Sequence, residues 1–176
     1  VRTVSFKVLC YVLNASQLGT CDDRMLLEQL REELAGKPEQ PIYFILNKVA
    51  LLDPEKGEDI AGYVRNAQRY LTEIGFEQPI IIPTMASAAL YARKALTAEA
   101  LTRTQRLKLR QALDDLDANK RAFLHATVAP DLIKHRLFKA LDTLERKRQA
   151  KAFDARACEK NQLHQLVTIS GLKTVE

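Results

Sequence analysis

Two short polar segments follow apolar runs of the sequence and carry groups that could bind an organic ring. Asn47 and Lys48 come directly after the run IYFIL, and residues 84–87 (TMAS) come at the end of the run PIIIP. An Asn amide donates and accepts hydrogen bonds, a Lys stem can cover an apolar face, and backbone N–H groups in a turn can donate to a carbonyl oxygen. Either segment alone is also common as a plain strand-to-helix turn. Their order and spacing together favour a nucleotide-binding role.

The first segment matches part of the run that binds guanine in GTPases. In those proteins an Asn-Lys-x-Asp run ends a strand, the Asp accepts from N1–H and the 2-amino group, and Asn contacts N7. A hydrogen bond to a charged group is among the stronger recognition contacts. Here Ala50 stands at the fourth position, and the nearest acid is Asp53. Either the loop is longer and Asp53 takes the role, or guanine selectivity is weakened.

The second segment occupies the place of a short GTPase loop whose backbone N–H groups point at guanine O6. Thr84, Met85 and Ala86 stand at its positions, and Ser87 follows. Met85 replaces the usual Ser, which is tolerable because the backbone makes the contact. The hypothesis therefore requires the loops at 47–53 and 84–87 to converge on one half of a purine pocket.

The phosphate-binding elements of a GTPase are absent from this sequence. No G-x-x-x-x-G-K-[ST] run occurs among the six dispersed glycines, and no Asp-x-x-Gly switch precedes the first predicted strand. Phosphoryl transfer needs these elements to hold the β- and γ-phosphates and Mg²⁺. We therefore expect the chain alone to be inactive. Because the chain also lacks an initiating Met, we expect it to be a fragment with a further portion upstream.

The elements that must position these residues follow from hydrophobic periodicity. Short apolar runs predict strands at 8–13, 42–46 and 79–83, and we expect the first to be covered on both faces. Helical spacing predicts one helix beginning at Asp22 and Asp23, and another over 60–74 with Gly75 as its C-terminal cap. Strands that alternate with helices predict an α/β fold with a parallel sheet and right-handed crossovers. Together with the GTPase motifs above, they resemble a partial P-loop-GTPase-like sheet with flanking helices.

Beyond residue 86 the pattern is helical only. Helices are predicted from Ala88 to Ala100, onward through Leu116 with a break around Asp114 to Asn119, and from Pro130 into the charged run ERKRQAKAFDARACEKN. This indicates a helical hairpin or bundle. We therefore divide the chain into residues 1–100, which resemble the C-terminal half of a GTPase-like α/β domain, and residues 101–176, a basic helical region.

The runs YVLNASQLGTCDDRMLLEQL, FILNK, PIIIPTMASAALYARKAL and LVTISGLKTVE, in this order, resemble the middle and end of the G domain in bacterial dynamin-like GTPases. The resemblance covers nearly the whole chain, although each motif is loose. It implies GTP or GDP as the ligand, with Mg²⁺ bound only in the intact protein. It also implies association of G domains, and often membrane or filament remodelling.

Charge favours a second hypothesis of another class. Residues 103–160 carry 15 Lys and Arg against 8 Asp and Glu, a net charge of +7, whereas residues 1–102 carry 11 against 13, a net of −2. The chain could thus be a non-catalytic interaction module that binds a protein, nucleic acid or anionic membrane through basic helices. No Tyr or Trp interleaves the two basic clusters, and acids lie nearby, which favours solvated helical faces. The clusters are Arg103, Arg106, Lys108 and Arg110, then Arg146, Lys147, Arg148 and Lys151.

The remaining residue types give little chemistry. Cys10, Cys21 and Cys158 form no CxxC pair, and His125, His135 and His164 are too far apart for metal-ligand spacing. We expect free thiols and no metal site.

No apolar run reaches the roughly 20 residues of a membrane-spanning helix, and a signal peptide is missing, so we expect a cytoplasmic chain.

Overall fold

The structure, a computed structural model, describes residues 9–35, 41–49, 59–150 and 154–170, and the backbone alone at 117–120. These ranges form three strands, namely β1 (Leu9–Asn14), β2 (Ile42–Asn47) and β3 (Ile80–Thr84). The α-helices are α1 (Cys21–Leu34), α2 (Ile60–Ile74), α3 (Ala86–Leu96), α4 (Arg103–Ala126), α5 (Asp131–Ala150) and α6 (Ala155–Ile169). The predicted α/β class is therefore confirmed.

The three strands make one parallel sheet in the order β1-β2-β3. The register places Leu13, Leu46 and Pro83 side by side, and all three are buried. Because the strands are parallel, their carboxyl ends lie at the same edge of the sheet. The loops after β2 and β3 therefore start next to each other.

The opposite face of the sheet is covered unevenly. Val12, Ile45 and Ile82 are neighbours in the register, and their exposed fractions fall from 62% to 7% to 1% across the sheet. Cys10, on the same face of β1, is also exposed. The helices on this face therefore lie over β2 and β3 and do not reach β1. The prediction that the first strand is covered on both faces is wrong, because β1 is an edge strand whose described partner is β2 alone.

A cluster of two tyrosines and one carboxylate joins β1, α1 and α2. The Tyr11 hydroxyl donates to Asp23 Oδ1 at 2.7 Å, and the Tyr70 hydroxyl donates to Asp23 Oδ2 at 3.3 Å. Burial, reinforced by the Asp23 carboxylate, raises the pKa of both phenols, that of Tyr70 to about 12. One carboxylate thus fixes the positions of two helices on the edge strand.

Both ends of α2 follow from single residues. Asp59 is the N-cap and accepts from the Gly62 N–H, which explains why the Asp-x-x-Gly spacing at 59–62 begins a helix here. Gly75 ends the helix at φ 105°, in the left-handed region that favours glycine, and donates to Leu71 O. The predicted helix over 60–74 and its glycine cap are confirmed.

The long helix α4 has no break. The predicted interruption at Asp114 to Asn119 is wrong, because α4 is continuous over 24 residues. Leu109, Leu116 and Phe123, each seven residues apart, are all buried. Seven residues make almost two helical turns, so these side chains lie on one face and their packing outweighs the low helix propensity of Asp and Asn.

The predicted helix running on from Pro130 is two helices. α5 ends at Ala150, and Asp154 begins α6 by accepting from the Ala157 N–H. α6 packs against α3, α4 and α5.

The connection between α4 and α5 also contacts the sheet. The N–H of Ile81 donates to Val128 O at 2.7 Å, and the N–H of Val128 donates to Ile81 O at 2.9 Å. In the described part of the chain, no helix has the length and apolar character needed to cross a bilayer.

The tyrosine cluster predicts a loss of stability at alkaline pH. The pKa of an unfolded Tyr is 10.0, whereas that of folded Tyr70 is about 12. The contribution of Tyr70 to the free energy of unfolding is therefore fully present below pH 10, and it is lost as the pH rises from 10 to about 12. Thermal unfolding of the Tyr11→Phe/Tyr70→Phe double variant should show a flatter pH dependence in this window. Tyr91→Phe, on α3, is the control. An unchanged slope in the double variant would contradict the assignment.

Replacement of the buried Gln165 in α6 by an apolar residue is expected to increase stability. Its side chain is fully buried, Nε2 donates to Asn161 Oδ1 at 2.8 Å, and Oε1 has no partner among the described residues. An unsatisfied buried acceptor costs about 1–3 kcal/mol, more than the ~1 kcal/mol of the bond that would be lost. Gln165→Met should therefore raise the free energy of unfolding by about 1 kcal/mol in chemical denaturation. Asn161→Ala, which removes only the partner, should lower it; a destabilised Gln165→Met would mean that a donor reaches Oε1.

Candidate functional site

The two polar loops singled out in the sequence meet at the carboxyl edge of the sheet. Asn47 and Thr84, the last residues of β2 and β3, are direct partners in the register. Asn47 Oδ1 accepts from Thr84 Oγ1 and from the Ala86 N–H, each at 3.4 Å, the long end of the hydrogen-bonding range. The predicted convergence is confirmed for residues 47–49, here called the β2 loop, and 84–87, the β3 loop.

The partners of Asn47 determine how its amide is oriented. The Ala86 N–H can only donate, so the amide oxygen must face the β3 loop. The Nδ2 group then points away from this junction, and among the described residues it has no hydrogen-bond acceptor. Asn47 is half-buried, which leaves its side chain within reach of a ligand. An amide fixed in this way presents a donor to an acceptor nitrogen such as N7 of a purine.

Lys48 has a backbone conformation that is uncommon outside glycine. Its φ is 69°, in the left-handed region, and such a residue costs on the order of 1–3 kcal/mol unless its surroundings compensate. The next residue, Val49, is buried with 3% exposed. The turn at Lys48 thus places Val49 in the core and leaves the Lys48 side chain in solvent, where its stem can lie over a ring beside Asn47.

The β3 loop becomes progressively more open toward α3. Thr84 is fully buried, Met85 is 7% exposed, Ala86 is half-buried and Ser87 is exposed. Met85 is the N-cap of α3 and contributes no side-chain hydrogen bond to it. The N-terminus of a helix carries a partial positive charge, so the edge formed by Ala86 and Ser87 suits an electronegative atom such as a carbonyl oxygen.

Two contacts of this site were not foreseen from the sequence. Asn14, at the end of β1, lies in register with Asn47, so polar side chains end all three strands. The Asn14 amide accepts from the Ser16 N–H and donates to Gln17 Oε1, which stabilises the turn after β1. The N–H of Met85 donates to the carbonyl oxygen of Ser170, at the end of α6. The first was visible as an Asn after an apolar run, whereas no sequence signal indicates the second.

The remaining features of the nucleotide-binding hypothesis are not located at the two loops. Ala50 and Asp53 lie outside the described residues, so the acceptor for N1–H and the 2-amino group is not located. No group of His, Cys, Asp and Glu suited to a metal ion occurs in the described ranges. A surface cleft of about 540 Å³ lies between α2 and the turn after β1, lined in part by Gln17, Asn66 and Tyr70, and it does not include the β2 or β3 loop.

The basic residues of the helical region are partly paired. Arg121, on α4, bonds Asp142 and Glu145 of α5, each at 3.2 Å, and links the two helices. In the first basic cluster, Arg103, Arg106 and Arg110 are exposed. In the second, Arg146 Nε donates to Asp142 O at 3.3 Å, and Lys151 lies outside the described residues. Binding of an acidic partner through these helices stays a prediction.

Comparisons of this chain with protein-family models, with curated proteins and with solved structures found no match. The geometry of the site is therefore the basis for any functional assignment.

The junction of the two loops predicts a measurable effect of Thr84. Thr84→Val keeps the shape of this buried side chain but removes the hydroxyl that donates to Asn47. Because the hydrogen bond is long, its loss should lower the free energy of unfolding by about 0.5–1 kcal/mol. The side-chain amide resonances of Asn47 should shift in NMR spectra as well. Thr143→Val, an exposed position on α5, is the control, and unmoved Asn47 resonances in Thr84→Val would show that the two loops are not joined in solution.

Proposed function

We propose that this chain is the base-binding half of a GTP-binding domain of the dynamin-like kind. The observation that supports this most directly is the Asn47 amide, whose oxygen is held by the β3 loop and whose nitrogen is left as a donor. The loops lie at the carboxyl edge of a parallel sheet, where open α/β folds bind their ligands. The order of the strands and helices agrees with the resemblance noted in the sequence.

Each residue of the two loops has a role in the proposal. Asn47 donates through Nδ2 to N7 of the base, and the Lys48 stem covers one face of the ring. The backbone N–H of Ser87, at the start of α3, faces the carbonyl O6, since the Ala86 N–H already donates to Asn47. Thr84 fixes Asn47, and Met85 holds the loop in the core. Asp53 is the proposed acceptor for N1–H and the 2-amino group, and the phosphates and Mg²⁺ are bound by a P-loop that this sequence does not contain.

The proposal assigns the chain binding and not hydrolysis. Catalysis of phosphoryl transfer depends on holding the phosphates, the metal ion and the attacking water. None of the residues assigned above performs these tasks. GTPase activity is accordingly proposed for the intact protein only.

The substitution Asn47→Asp separates the two functions of the Asn47 side chain. A carboxylate can still accept from Thr84 and Ala86, but it cannot donate to N7 and it repels that nitrogen. The dissociation constant for GDP should therefore rise at least tenfold, the equivalent of one lost hydrogen bond of about 1.4 kcal/mol. Ligand titration followed by NMR suits the weak binding expected of half a pocket, and calorimetry suits a protein that also contains the P-loop.

The matched control is Asn66→Asp, an exposed position on α2. It makes the same change of charge outside the two loops and should leave GDP affinity unaltered. The proposal fails if millimolar GDP moves no resonance of the β2 or β3 loop. It also fails if Asn47→Asp and Asn66→Asp bind GDP equally well.

A further inference from the structure

The last turn of α6 is buried against the β3 loop. Leu166, Thr168, Ile169 and Ser170 are at most 2% exposed. The carbonyl oxygen of Ser170 accepts from the Met85 N–H at 3.1 Å. A backbone hydrogen bond therefore connects the end of the helical region to the β3 loop.

The position of this carbonyl is fixed by the helix itself. The N–H of Ser170 donates to Leu166 O at 2.9 Å, and its hydroxyl donates to Val167 O at 2.7 Å. Two residues earlier, Thr168 Oγ1 donates to His164 O at 2.9 Å. The acceptor that holds Met85 thus moves only if the end of α6 moves.

The β3 loop is consequently held from two sides. Met85 donates to Ser170 of α6, and the next residue, Ala86, donates to the Asn47 side chain of the β2 loop. These two N–H groups belong to adjacent planar peptide units that are joined at the Met85 Cα, so a shift of the first is transmitted to the second through one residue only. A displacement of Ser170 therefore changes the distance between Ala86 and Asn47.

We propose that the C-terminal turn of α6, through the Ser170 carbonyl, is the positioning support of the β3 loop, so that the docking of α6 sets the affinity for the base. This inference rests on the proposed function of the two loops. Affinities are linked reciprocally, so a bound base also stabilises the end of α6. Since α6 packs on α3, α4 and α5, a partner that displaces these helices changes nucleotide affinity.

The positioning of the β3 loop by the end of α6 can be tested without any nucleotide. Ser170→Ala removes the hydroxyl that fixes the last turn of α6 and leaves the backbone intact. Hydrogen exchange of the Met85 amide should become about tenfold faster, whereas exchange of the Ile45 amide, in the centre of the sheet, should not change. A general loss of stability would accelerate both amides equally, and that result would overturn the proposal.

Thr143→Ala is the matched control, because Thr143 Oγ1 makes the same kind of bond, to Lys139 O at 2.8 Å, on an exposed part of α5. It should leave Met85 exchange unchanged. If Ser170→Ala does not fold, Ile169→Val removes one buried methylene beside it and should accelerate Met85 exchange in the same selective way. Unchanged Met85 exchange in every α6 variant that folds would overturn the proposal.

The coupling is then measured with GDP. GDP should slow exchange of Met85 and of residues 166–170 in the unaltered chain, and Ser170→Ala should weaken GDP binding about tenfold while Thr143→Ala does not. If the unaltered chain binds GDP and Ser170→Ala binds it equally well, the support is wrong and the proposed function stands. If the unaltered chain binds no GDP at the two loops, the proposed function fails and this inference fails with it.

Discussion

The direct pairing of Asn47 with Thr84 is the constraint on which the site depends. Two parallel strands that end in register bring two loops distant in sequence to one edge, and the Asn47 amide then joins them. A shift of either strand by one residue would turn Asn47 or Thr84 to the other face of the sheet. The register is secured by the buried row of Leu13, Leu46 and Pro83. The packing of the core therefore also determines the geometry of the loops.

Much of this arrangement could be predicted from the sequence because it is encoded locally. Apolar runs located the three strands, and helical spacing with a final glycine located α2 to the residue. The convergence of the β2 and β3 loops follows from parallel strands, whose carboxyl ends meet. Features that depend on distant packing were missed. The continuity of α4 depends on Leu109, Leu116 and Phe123, and the open face of Val12 depends on how far the helices extend across the sheet.

The contact between Ser170 and Met85 shows a further limit of sequence patterns. It joins two backbone groups, so no side chain at either position indicates it. The end of α6 instead carries Val, Thr and Ile, which favour strands in isolation. Burial on all sides compensates for that preference, since a helix end packed by α3, α4 and α5 needs no amphipathic pattern. The helical region is therefore attached to the sheet at two described points, Val128 beside β3 and Ser170 beside the β3 loop.

Under the proposed function, base selectivity requires a residue beyond the two loops. Adenine and guanine both carry N7 as an acceptor, so a donor at Asn47 Nδ2 binds either purine. Guanine is distinguished by its O6 acceptor and by its N1–H and 2-amino donors. The amide oxygen of Asn47 is already bonded to Thr84 and Ala86, and residues 47–49 and 84–87 contain no carboxylate. In the proposed role, selectivity for guanine therefore requires an acid that follows the β2 loop. Because Ala50 stands at the fourth position, either Asp53 takes that role or guanine selectivity is weakened.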